Sequence, residues 1–150
     1  MLSSKFQYAI LVNSIRFLFI ILFVYAATNK VIDFNHFKIQ LGQSPYISTY
    51  ANWMSWMIPT IEYLIVGLFL FQKSLLTAFR ASFSLMTLFT TYIFFVLSFS
   101  DSLPCTCGGI ISSLGWREHF IFNLIFIGLA LIGIIMIHKQ RHDQIKINTT

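Results

Sequence analysis

The chain has 150 residues, 57% of them hydrophobic and 10% charged, with a formal net charge of +5. Soluble domains usually carry about 25% charged residues, so the composition argues against a single water-soluble core. The positive charge argues no better for nucleic-acid binding, because lysine and arginine stand at the edges of apolar blocks, where they set membrane topology. Each block approaches the ~20 residues that cross ~30 Å of hydrocarbon, and the partner this composition implies is the lipid bilayer.

The first block covers 8–28 and is unbroken from 17 to 27. A mixed connector, 29–52, follows. Within it Phe34, Phe37 and Leu41 recur at helical spacing among polar residues, which predicts a short helix lying on the bilayer surface. Gly42 and the pair Ser44-Pro45 should end it. The second block, 53–71, contains Pro59, a site for a kink. Residues 72–74 alone separate it from the third block, 75–99, so the two form a helical hairpin. A polar loop, 100–118, then carries Pro104, three glycines and both cysteines of the chain, Cys105 and Cys107. The fourth block, 119–137, gives way to a basic tail, 138–150. The expected architecture is all-α: one domain, 1–150, with four transmembrane helices and an interfacial helix between the first two. Lys5 and an apolar run ending Val24-Tyr25-Ala26 also resemble a cleavable signal peptide; Arg16 inside the run favours a retained anchor.

Orientation follows from the basic residues. With both termini cytoplasmic, that side holds Lys5, Arg16, Lys73, Arg80, Lys139, Arg141 and Lys146, against Lys30, Lys38 and Arg117 outside. Seven against three satisfies the positive-inside bias, and the cysteine loop then lies on the exported face.

The string Pro104-Cys105-Thr106-Cys107-Gly108-Gly109 is the most informative for chemistry. Disulfides form and persist on the exported side of a membrane. A Cys-x-Cys bridge is too tight for relaxed geometry, and strained, exposed disulfides are the reactive ones; the glycines give such a turn its backbone freedom. The pair therefore reads as a thiol–disulfide exchange site. Two alternatives stay open: metal ligation by Cys105, Cys107 and His119, and cysteines packed without chemistry. His119 and Asn123, four apart, share a face of the last helix near the loop, where a histidine lowers a thiol pKa or simply bonds headgroups. Trp116 belongs with Trp53 and Trp56 in the interfacial aromatic belt. Within the membrane, Glu62 lies ~12 Å below the outer surface at 1.5 Å per residue. An ionisable group at that depth faces the bundle interior. Arg16 is its expected partner, directly or through a polar headgroup, and Lys30 is placed to line the same space. Thr87, Thr90 and Thr91 are expected to bond their own helix.

The Arg16 turn, the Asn29-Lys30 exit from the first helix, Glu62 within Ile61-Glu62-Tyr63-Leu64, and the cysteine loop resemble the DoxX/MauE group of small four-helix membrane proteins. The stretch from Cys105-Thr106-Cys107-Gly108-Gly109 through Trp116, His119 and Asn123 is most similar to its MauE-type branch. The resemblance covers roughly 16–137. It implies a redox-associated protein of the bacterial inner membrane, linked to maturation of the disulfide-rich methylamine dehydrogenase and working near a thioredoxin-like or exported partner. Carried over, Cys105 and Cys107 are the redox pair, and Arg16, Lys30 and Glu62 are helix positions typical of the wider group. The loop here ends Gly108-Gly109 instead of glycine-aromatic, a departure that bears on the substrate more than on the redox class. The aromatic lining leaves room for a quinone between the helices as electron acceptor, although no motif specifies one. Competing readings are a small-molecule transporter or metal handler using Glu62, Arg16, His119 and the thiols, and a non-catalytic subunit of an envelope complex.

Overall fold

The structure is a computed structural model and describes residues 2–44, 47–99 and 116–148. It contains five α-helices among these: α1 (Leu2–Ile32), α2 (Phe34–Gln43), α3 (Ala51–Leu70), α4 (Leu75–Phe99) and α5 (Trp116–Asn148). Four segments are long and apolar enough to cross a bilayer, Gln7–Ile32, Ser48–Leu70, Gln72–Phe95 and Arg117–Gln140. The fold is an all-α four-helix bundle carrying the short helix α2 at one end.

Local sequence explains most boundaries. Residues 72–74 form a single tight 3-10 turn, closed by Ser74, whose hydroxyl donates to the Leu68 carbonyl at 2.7 Å. Helix α2 ends at Gln43, one residue past Gly42, where Ser44 turns extended. Pro59 removes the amide that would bond the Ser55 carbonyl, yet α3 runs on through it. Two helices exceed their apolar blocks. The first, expected over 8–28, extends from Leu2 to Ile32, because Ser3 to Gln7 and Asn29 to Ile32 contain no glycine or proline to stop it. The last, expected over 119–137, continues through the basic tail to Asn148. Lysine, glutamine and arginine are good helix formers, and nothing in 138–148 breaks a helix.

Neighbouring helices are antiparallel and close in the order α1, α3, α4, α5, back to α1. Phe19 of α1 is where they meet. Its fully buried ring stacks on Phe69 of α3 at 5.7 Å and takes edge contacts from Phe79 of α4 at 5.9 Å and Phe126 of α5 at 5.3 Å. In hydrocarbon, helices gain little by hiding apolar surface from one another, so close packing of this kind carries their association. The bundle is correspondingly inside-out. Phe17, Leu64, Leu88 and Ile135 are more than 60% exposed, whereas Glu62, Ser55, Ser82 and Asn123 are buried. Ser82, Thr87 and Thr90 donate to carbonyls one turn back on α4, which satisfies their hydroxyls inside the apolar bundle.

The two ends differ in charge. Where α3 turns into α4, the Arg16 guanidinium donates to the Leu70 carbonyl at 3.0 Å. There too Arg80 donates to Nε2 of His138 at 3.1 Å, and the Lys139 ammonium lies 5.3 Å from the centre of the Tyr8 ring. The opposite end carries α2, with Trp53 and Trp56 exposed and Phe34 packed on Trp56 at 4.5 Å.

Gly133 of α5 permits a close approach in the core, since a Cβ there would fall 2.7 Å from the buried Phe79 ring. Gly133→Ala should therefore cost about 1–3 kcal/mol through overpacking and lower the thermal midpoint in detergent. Gly128→Ala on the same helix, where a Cβ meets nothing within 4 Å, should be neutral or slightly stabilising.

Candidate functional site

The half of the bundle away from the Phe19 cluster is hollow. A cavity of about 410 Å³ lies between the helices, with residues of all five contributing to its wall. That volume falls within the ~300–1,000 Å³ of small-molecule sites. Most of the wall is apolar, including Phe23, Phe37, Met54, Ile58, Met86 and Phe89, and the polar groups are few: Asn29, Lys30, Glu62, Tyr92, His119 and Asn123 among them.

The strongest of these interactions joins α1 to α3. The Lys30 ammonium donates to both carboxylate oxygens of Glu62, at 2.8 and 3.1 Å, and to the Ala26 carbonyl at 3.3 Å. Glu62 is 1% exposed and Lys30 22%. Helical side chains lean toward the N-terminus of their own helix, so Lys30, two residues from the end of α1, reaches back into the bundle and not out to the interface. Its ammonium also lies 5.9 Å from the centre of the Phe37 ring on α2. Beside it, the hydroxyls of Thr28 and Tyr63 share a hydrogen bond of 2.9 Å.

This geometry corrects the expected Arg16–Glu62 pair. Along the antiparallel helices Lys30 stands level with Glu62, and Arg16, fourteen residues or about 21 Å earlier in α1, stands at the far end of α3. There its guanidinium caps the Leu70 carbonyl, one of the orphan acceptors at a helix C-terminus. The expectation placed the first span at 8–28 and so put Lys30 at its mouth; the crossing segment reaches Ile32 and takes Lys30 inside. Any site built on Glu62 and His119 consequently lacks Arg16.

His119 and Asn123 both face the cavity from α5. Asn123 is 2% exposed, and its Nδ2 has no hydrogen-bond partner; neither does Nδ2 of Asn29 on α1. At the rim, the side chains of Ser44 and Tyr92 share a hydrogen bond that ties the end of α2 to α4. Asn29 and Tyr92 are cavity groups that the sequence reading did not single out as such. The available signal was their position, a polar side chain near the same end of each apolar span. Cys105 and Cys107 lie outside the described residues, as does the side chain of Trp116. Among the described residues no group of three or more histidine, cysteine, aspartate or glutamate side chains is gathered as a metal would require.

A buried ion pair that loses one partner leaves an uncompensated charge, at a cost on the order of 3 kcal/mol. Lys30→Met should thus lower the thermal midpoint in detergent more than the double change Lys30→Met/Glu62→Gln, in which neither charge remains. Equal losses in the single and double variants would show that Glu62 without Lys30 carries no unpaired-charge penalty.

Comparison with known proteins returns one family. No curated protein matches the chain, and no solved structure does. The family model described as Methylamine utilisation protein MauE matches residues 8–136, which takes in every membrane-crossing segment almost to its end. A four-helix membrane bundle matched over that length belongs to the MauE family.

Proposed function

We propose that this MauE-family protein acts in a process related to methylamine utilisation, as a membrane-anchored thiol–disulfide exchange protein supporting the maturation of exported proteins, with Cys105 and Cys107 as the exchanging pair. The observation that carries the reading is where the helices on either side of the cysteine segment end. Helix α4 ends at Phe99 and α5 starts at Trp116. Tyr92 and His119, both in the cavity wall, lie about 11 Å and 5 Å from those ends at 1.5 Å per residue. The two helices that flank the cysteine segment in sequence thus end at the hollow end of the bundle, and His119 stands one turn inside the start of α5.

In the proposed orientation both termini are cytoplasmic and that end meets the periplasm of a bacterial inner membrane. The charge bias of the sequence supports this, since Arg16, Lys73, Arg80 and Lys139 gather at the opposite end. One thiolate attacks a partner's disulfide, forming a mixed disulfide and releasing one partner thiolate. The second cysteine attacks the mixed disulfide, releasing the other partner thiolate and leaving Cys105 bonded to Cys107. Two electrons pass to the partner; in reverse, the strained bridge oxidises a partner dithiol. With two cysteines in the chain, the second dithiol belongs to the partner, which a thioredoxin-like or exported protein would supply.

Trapping tests this. In cells, Cys107→Ser or its counterpart Cys105→Ser should accumulate mixed disulfides with exported proteins, visible on non-reducing gels and lost on reduction. Cys105→Ser/Cys107→Ser should give none. Absence of adducts from both single variants, with full function in the double variant, would contradict thiol exchange and leave a non-catalytic subunit.

A further inference from the structure

We propose that the cavity between the helices is a binding site for a neutral, membrane-dissolved carbonyl compound, specifically the head of a quinone. Three observations converge on that class. Two carboxyl groups, Asp33 and Glu62, stand in the wall against one ammonium, Lys30, and Lys30 is already committed to both oxygens of Glu62. No surplus positive charge is left for a phosphate or carboxylate, so an anionic headgroup is disfavoured. The open hydrogen-bonding capacity is of the donor kind. Nδ2 of Asn123, in a side chain 98% buried by its 2% exposure, and Nδ2 of Asn29 have no partner, and both residues line the cavity, from α5 and α1. Buried polar groups are almost always paired, and a ligand bearing acceptor oxygens would pair these two once the covered amides turn toward it. The rest of the wall offers the ring faces of Phe23, Phe37, Phe89 and Phe122 with methionines between them, surroundings suited to a flat apolar ring. Most of the wall belongs to the membrane-crossing segments, where such a ligand is dissolved.

A quinone head satisfies all three conditions, with carbonyl oxygens for the amides and an apolar ring and tail for the wall. The ester carbonyls of a diacyl lipid share the acceptor chemistry but lack the ring. This site does not depend on the thiol reading, since its groups belong to the helices.

The test uses the full chain carrying Cys105→Ser and Cys107→Ser, so that no thiol can add to a quinone ring. Binding is measured by native mass spectrometry with three probes: decylubiquinone, dioctanoylglycerol and decylbenzene. The quinone should bind one per chain, at least about tenfold more tightly than either of the others, a tenfold ratio being what one net hydrogen bond supplies. Asn123→Leu, which removes the amide, should weaken quinone binding about tenfold while leaving the ligand-free thermal midpoint unchanged or raised, because an unpaired buried donor is lost. Equal binding of decylbenzene would overturn the proposal in favour of an unspecific apolar space. Equal or tighter binding of dioctanoylglycerol would overturn it in favour of a lipid seat. An Asn123→Leu chain that is destabilised, or that binds quinone as before, would show that the amide has a structural role only.

Discussion

The Lys30–Glu62 ion pair is the constraint on which the arrangement of this bundle depends. A carboxylate on α3 at 1% exposure, deep in a segment that crosses the membrane, is tolerable only with a cation and good hydrogen-bond geometry beside it. Lys30 supplies both, and doing so leaves α1 and α3 little freedom to slide. A shift by one residue would carry the ammonium about 1.5 Å along the axis and turn it about 100° around the helix, away from its partner. The same register puts Thr28 against Tyr63 and Arg16 against the end of α3. One charge pair thus fixes the relative height of the two helices that form one wall of the cavity.

From that register the molecule divides into two halves of different character. At the end where α3 turns into α4, phenylalanines from all four spanning helices fill the interior around Phe19, and Gly133 lets α5 close on Phe79. At the other end the interior holds the ion pair, two amides and a histidine around open space. Polar groups that would destabilise a packed apolar interior are tolerable where a cavity gives them a ligand or a partner. The packed half supplies rigidity; the hollow half holds the polar groups near the ends of the segment that carries the cysteines. The proposed quinone site and the proposed cysteine pair share no residues.

Much of the fold was legible in the residues. Blocks of about twenty apolar residues separated by charge gave four spans, and the short connector before Leu75 gave the hairpin. Phe34, Phe37 and Leu41 at helical spacing gave α2. What a single sequence does not hold is relative height. Arg16 and Lys30 are both cations on the first helix, and hydropathy alone placed Glu62 within reach of either. The choice between them is made by how far α1 continues past its apolar core and by the direction in which a helical lysine leans, both properties of the folded backbone. The cavity was partly visible, in His119 and Asn123 four residues apart and in Glu62 at depth. The unpaired state of the Asn29 and Asn123 amides was not, because it depends on what stands opposite them across α1 and α5. The apolar block marks the last helix only to 137; its course to Asn148 rests on the helix-favouring lysines, glutamines and arginine of the tail, which hydropathy does not register.

The direct measurement of the central claim is the dipolar coupling between lysine Nζ and glutamate Cδ, taken by solid-state NMR on the selectively labelled chain in bilayers. The chain has Glu62 and Glu118 as its only glutamates, which keeps the assignment simple. The account predicts a strong coupling at ion-pair distance that persists in Arg16→Gln and disappears in Lys30→Gln. A coupling that survives the loss of Lys30, or none at all in the unaltered chain, would contradict it.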